Sequence, residues 1–169
     1  MKKIKLIGLL FVLVLYSNSC LNSKPQWDYD LWLRIQDTSG NDLVKDIEYE
    51  PHTSDVSGGI VKHEVYSLFL DVNCCGLKED MLLAKDGYSY QIGILSAIPP
   101  TCTRQKVITY NLKCSYIFGN NDIHKIISYW NYNGSDNICQ RIEINGNEFT
   151  QVIYDERLCG FVATIILDR

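Results

Sequence analysis

The chain has 169 residues, 46% hydrophobic and 21% charged, with only four prolines. That is one domain's length with enough apolar mass for a packed core, and it excludes a disordered chain. The net charge is −4, but Lys2, Lys3 and Lys5 precede the first apolar run, and the rest of the chain sets thirteen basic against twenty acidic residues, a balance of −7. An acidic surface without a Lys/Arg cluster repels phosphate backbones, so nucleic acid is not an expected partner.

The first element in chain order is an address. Met1 to Lys5 is cationic, Leu6 to Tyr16 is apolar and uncharged, and Ser17, Asn18 and Ser19 lead to Cys20. This is the order of a secretory signal: a basic start, an apolar stretch and a small-residue cleavage site. The apolar run is shorter than the ~20 residues a spanning helix needs. Cys20 directly after such a run resembles the lipobox of bacterial lipoproteins, with Ser17 where the usual pattern has leucine, a departure that looser Bacteroidota boxes tolerate. The resemblance implies a signal peptide over residues 1–19 and acylation at Cys20. Several acyl chains at ~0.8 kcal/mol per buried methylene make a durable membrane anchor. Residues 20–26, polar and containing Pro25, read as a tether.

From Trp27 onward the pattern alternates. Leu31, Leu33 and Ile35 share one face of a strand, and Asp37 to Asp42 is a dense turn signal. Leu43 to Tyr49 reads as a return strand ending at Pro51, and His52 to Gly59 as a loop. Val65–Val72, Tyr88–Ser96 and Val107–Leu112 read as strands. Ser115 to Phe118 is a short apolar piece closed by Gly119-Asn120-Asn121. Ile123 to Trp130 is rich in β-branched and aromatic residues and reads as a strand. Ile138, Gln140, Ile142 and Ile144 are expected on one face of a hairpin strand whose turn is Asn145-Gly146, the favoured type I′ pair. Phe149 to Tyr154 would return, and Phe161 to Leu167 would be a central strand covered on both faces. Eight to ten mostly antiparallel strands with no long amphipathic helix predict an all-β sandwich over residues 27–169.

Two stretches carry a further resemblance. Leu33 to Leu43, with Asp37-Thr38-Ser39-Gly40-Asn41-Asp42 at its centre, is similar to the strand-and-turn start that follows the anchor in many small Bacteroidota lipoproteins. Arg141 to Gly146 and the terminal Ala163 to Arg169 look like the close of the same group. The resemblance implies an immunoglobulin-like sandwich and an outer-membrane location, periplasmic or surface-facing. It carries no catalytic residue.

Candidate chemistry is sparse. After Cys20 come Cys74, Cys75, Cys102, Cys114, Cys139 and Cys159. In an oxidising compartment this even number predicts two or three disulfides among 15 full pairings, with mainly buried thiols as the alternative. The histidines, His52, His63 and His124, are scattered, and no metal-ligand spacing is present, so neither a metal nor another cofactor is expected. Glu79, Asp80, Asp155 and Glu156 could supply paired carboxylates but read as acidic loops. Gly58-Gly59 is too short for a phosphate cradle. The aromatic surplus is the more informative feature: Tyr129, Trp130 and Tyr132 are the candidate binding residues, against core packing as their commoner fate. The expected function is that of a non-enzymatic binding or accessory domain, tethered to a membrane and recognising an envelope protein or a glycan. An assembly role through an edge strand ranks second and an envelope hydrolase last.

Overall fold

The computed structural model describes residues 28–51, 58–72, 75–78, 81–86, 89–97, 106–134 and 136–168. The expected signal peptide, the tether and Cys20 lie outside them. Thirteen strands, one short α-helix and one 3-10 turn (His63–Val65) are present among the described residues, and the strands form two sheets of seven and six. The all-β sandwich is therefore the fold, with more strands than the alternation predicts.

The first strand, β1 (Asp28–Asp37), buries Tyr29, Leu31, Leu33 and Ile35 on one face, as its period of two dictates. It is central in the seven-stranded sheet. β2 (Tyr49–Pro51) and β3 (Gly58–Val61) form that sheet's far edge, and a hairpin of β4 (Ser67–Val72) and β5 (Cys75–Lys78) crosses to the other sheet. β6 (Met81–Asp86) and β7 (Ser89–Ala97) return and place β7 against β1. The chain then stays in the six-stranded sheet through β8 (Val107–Lys113), a one-turn helix α1 (Ser115–Phe118), β9 (His124–Asn133), β10 (Asp136–Ile144) and β11 (Asn147–Phe149). Finally β12 (Val152–Asp155) and β13 (Gly160–Leu167) cross back. β13 pairs with β1 in parallel, Asp37 opposite Leu167, and every other pairing is antiparallel.

One continuous core fills the space between the sheets. Leu31, Leu33, Ile92 and Ile94 from one layer meet Leu70, Ile108, Tyr110 and Ile126 from the other, all fully buried. Each such side chain contributes about 1.5–3 kcal/mol relative to exposure. The outer face of the seven-stranded sheet holds a smaller cluster, in which the Trp32 indole lies over Gly93. A Cβ on Gly93 would stand 2.6 Å from that ring, so the close approach requires glycine.

Four expectations of local structure change. Residues 43–48 are not a strand: Asp42 accepts from the Val44 and Tyr90 amides at 2.9 and 2.8 Å and turns the chain. Leu43, Val44 and Ile47 then plug into the core. Ile138 and Ile142 do not share a face, because a β-bulge between Cys139 and Arg141 shifts the register and turns Cys139, not Gln140, inward. The hairpin return stops at Phe149, and residues 152–155 join the opposite sheet. β13 has one open position on its outer face, Ile166, which is 56% exposed.

Candidate functional site

A concavity among the described residues forms where two turns meet. The first follows α1, which ends at Gly119 with φ +72° and an amide bonded to the Ser115 carbonyl at 2.9 Å. Such a left-handed stop favours glycine. The next residue, Asn120, folds its side chain back to accept from the Asp122 amide at 3.0 Å. The second is the β10–β11 turn, where Asn145 (φ +51°) and Gly146 (φ +89°) adopt the mirror-image geometry that strand twist selects. The Asn145 side-chain oxygen accepts from the Lys125 amide at 3.0 Å.

His124, the first residue of β9, joins the two turns. Asn145 Nδ2 donates to His124 Nδ1 at 2.7 Å, and His124 Nε2 donates to Asn120 Oδ1 at 2.9 Å. Each asparagine oxygen also accepts from a backbone amide, so both side-chain orientations are fixed. An amide nitrogen can only donate, so Nδ1 must be the acceptor and Nε2 must carry the proton. The imidazole is thus neutral, in one tautomer, and stacked on Phe118 with centroids 3.7 Å apart and planes 9° from parallel. Burial pushes its pKa below the usual histidine value, with Asp122 opposing that shift.

These groups floor a half-open groove of about 550 Å³, walled by Ile144, Asn147, Glu148 and Phe149 on one side and Ile166, Leu167 and Asp168 on the other. That volume falls in the range of small-ligand or side-chain pockets. Glu148 is held by Arg141 at 2.6 Å. Asp168 makes no side-chain hydrogen bond among the described residues, and among those residues no lysine or arginine lines the groove. The side-chain amides of Asn120 and Asn147 keep N–H donors beside these acceptors, so the groove offers a ligand both. Its imidazole has no nitrogen left to move a proton.

The predicted aromatic trio does not form one surface. Trp130 is buried, donates from Nε1 to Ser128 Oγ at 2.6 Å and meets Tyr29 and Phe161 edge-to-face at 5.0 and 5.7 Å. Tyr129 is on the opposite face of β9, bonded to Glu143 at 3.0 Å and covered by the Arg141 guanidinium at 3.5 Å. Tyr132 is partly buried on Trp130's face. The groove residues Phe118, Asn120, His124 and Asn145 are absent from the sequence-based candidates. Gly119-Asn120-Asn121 and Asn145-Gly146 were legible as turns, but their convergence on one histidine is a tertiary event.

The remaining candidates separate. Cys114 and Cys139 are free and buried, which overturns a three-disulfide pairing of the six cysteines and leaves at most two. Burial raises both thiols, Cys139 to about 12. Cys75 lies in β5, Cys159 lies in the turn before β13, and Cys74 and Cys102 lie outside the described residues. Asp155 caps its own turn, accepting from the Arg157 and Leu158 amides at 2.9 and 3.3 Å. His63 stacks on Tyr66 at 5.7 Å. Glu79, Asp80 and His52 lie outside the described residues, and no metal-ligating group of three is present among the described ones.

Comparison with protein-family models, curated proteins and solved structures finds no match. The groove's chemistry has to be read from its own residues.

Proposed function

We propose that the chain is an exported lipoprotein, held at the outer membrane through Cys20, whose sandwich is a non-enzymatic binding domain of the bacterial envelope. The carrying observation is polarity along β1. The chain begins this strand at Asp28, beside Ala97, and leaves it at Asp37, opposite Leu167. The groove is built at the second end. Ten residues of extended chain separate the two ends, about 30 Å at ~3.3 Å per residue. A domain tethered at Cys20 would thus hold its groove on the side away from the membrane. The committed imidazole favours binding over acid–base chemistry in the groove.

Assembly through an added strand is the second reading, and edge length weighs against it. The four edges are β12, β2, β11 and β5, of three or four residues each, and β2 carries Pro51. Short edges and edge prolines are how sheets avoid pairing with other chains.

The test is to express the full chain and its Cys20→Ala variant in a Bacteroidota host and follow labelled fatty acid and membrane fractionation. Label in the wild type alone supports the anchor. Equal, unlabelled soluble protein from both would sink it.

A further inference from the structure

We propose that Asn133 is a site of spontaneous chemical modification, losing its side-chain amide to attack by the Gly134 nitrogen and becoming aspartate or isoaspartate. This goes beyond the binding-domain reading and does not depend on it. The chain holds two Asn-Gly pairs, Asn133-Gly134 and Asn145-Gly146. Asparagine is a thermolabile residue, and most so before glycine, where no Cβ shields the backbone nitrogen that attacks it. That nitrogen bonds to the asparagine Cγ, gives up its proton and expels the amide nitrogen as ammonia. Water then opens the cyclic imide at either carbonyl. Water is consumed and ammonia released, and no oxidant takes part.

Exposure and turn chemistry do not distinguish the two pairs. Both asparagines and both glycines are exposed, and the glycines have φ +67° and +89°. Bonding distinguishes them. Asn145 Oδ1 accepts from the Lys125 amide at 3.0 Å, and Nδ2 donates to His124 Nδ1 at 2.7 Å. Its own backbone amide donates to the Lys125 carbonyl at 3.0 Å. The Asn145 amide can turn onto the Gly146 nitrogen only after both side-chain bonds break, which slows the step by about tenfold or more. Asn133 makes no side-chain hydrogen bond among the described residues. Nothing there restrains its amide.

The product alters the hairpin that carries it. Asn133 is the last residue of β9 and stands directly opposite Asp136, the first of β10. Conversion therefore sets a second carboxylate across from the first, and like charges directly opposite destabilise a strand pair. In the isoaspartate form the backbone also runs through the former side chain, which adds a methylene to the final rung of the ladder. The modification thus acts at the end of the sandwich away from the groove.

The experiment incubates the purified full chain at mildly alkaline pH, folded and in urea, until the unfolded chain has converted at both pairs. Peptide mass spectrometry follows each asparagine, and an isoaspartyl methyltransferase scores the isoaspartate. In urea the two pairs should convert at rates within about threefold, since both are the same dipeptide. In the folded chain Asn133 should convert at least about tenfold faster than Asn145. His124→Ala removes one of the bonds that hold Asn145 and should speed its conversion severalfold, leaving Asn133 unchanged. A thermal melt would show that this variant folds. Equal rates at the two pairs of the folded wild type would overturn the proposal, as would an Asn133 that converts only in urea. An Asn145 rate unmoved in the folded variant would overturn the account of its protection.

Discussion

β9 runs the length of the sandwich and carries a heteroaromatic side chain near each end, and the two are treated in opposite ways. Trp130 sits in the closed end. Its ring is enclosed edge-to-face by Tyr29 and Phe161, and its one donor is satisfied by Ser128. His124 sits at the open end, stacked on Phe118 and bonded to two asparagines that belong to separate turns. Apolar contact holds the first, and a polar network at the rim of a groove holds the second. The same strand thus carries an apolar packing site and a polar junction about 20 Å apart, six residues at ~3.3 Å each.

That contrast can be broken at several points. Trp130→Ala should have the largest effect. It removes a buried aromatic and leaves a cavity, costing about 3–5 kcal/mol, with Tm falling by roughly 10 °C. Urea denaturation of wild type and variant would measure it. On the outer face, Gly93→Ala would force the Trp32 ring aside, at a cost of about 1–3 kcal/mol, visible as a shift in the tryptophan fluorescence and in the denaturation midpoint. At the open end, Asn145→Ala should cost about 1–2 kcal/mol from two lost hydrogen bonds. Asn145→Gly loses the same bonds but keeps the positive φ, so it should be milder by about 1 kcal/mol. Equal losses would mean that backbone strain contributes nothing there.

A subtler test uses pH. The folded state holds His124 below its unfolded pKa, so the unfolded chain binds more protons in that window. The contribution is fully present above the unfolded value near ~6.5 and declines as pH falls toward the depressed folded value. His124→Gln should flatten this part of the stability–pH curve by lowering its alkaline side, where the contribution of the neutral imidazole is fully present. The smallest effect concerns the thiols. Cys114 and Cys139 should resist an aqueous alkylating reagent in the folded protein and both react on denaturation without reductant, which mass spectrometry would count. Fast labelling of the native protein would contradict their burial.

Local chemistry carried the strands a long way. β1, β7, β8, β9 and the Asn145-Gly146 turn were legible because each is marked by alternation, β-branched content or a turn pair whose φ angles only a few residues adopt. Where the reading failed, a nonlocal partner intervened. Asp42 bonds Tyr90, 48 positions away, and so converts an apparent return strand into a turn. The bulge at Gln140 depends on the register with β9, which no single strand reveals. Trp130 looked like a candidate for recognition because its sequence neighbours are aromatic too. Which of them faces inward was decided by the opposing sheet.

The amino-acid sequence by itself determined an all-β domain and the positions of most strands, since side-chain period and turn chemistry are properties of a few adjacent residues. The tertiary structure alone decided that β13 returns beside β1 in parallel, that two buried cysteines stay unpaired, and that Asn120, His124 and Asn145 meet at one groove. Those outcomes depend on burial and on hydrogen bonds between residues 4 to 130 positions apart on different strands and turns, and such distances leave no period in a linear chain.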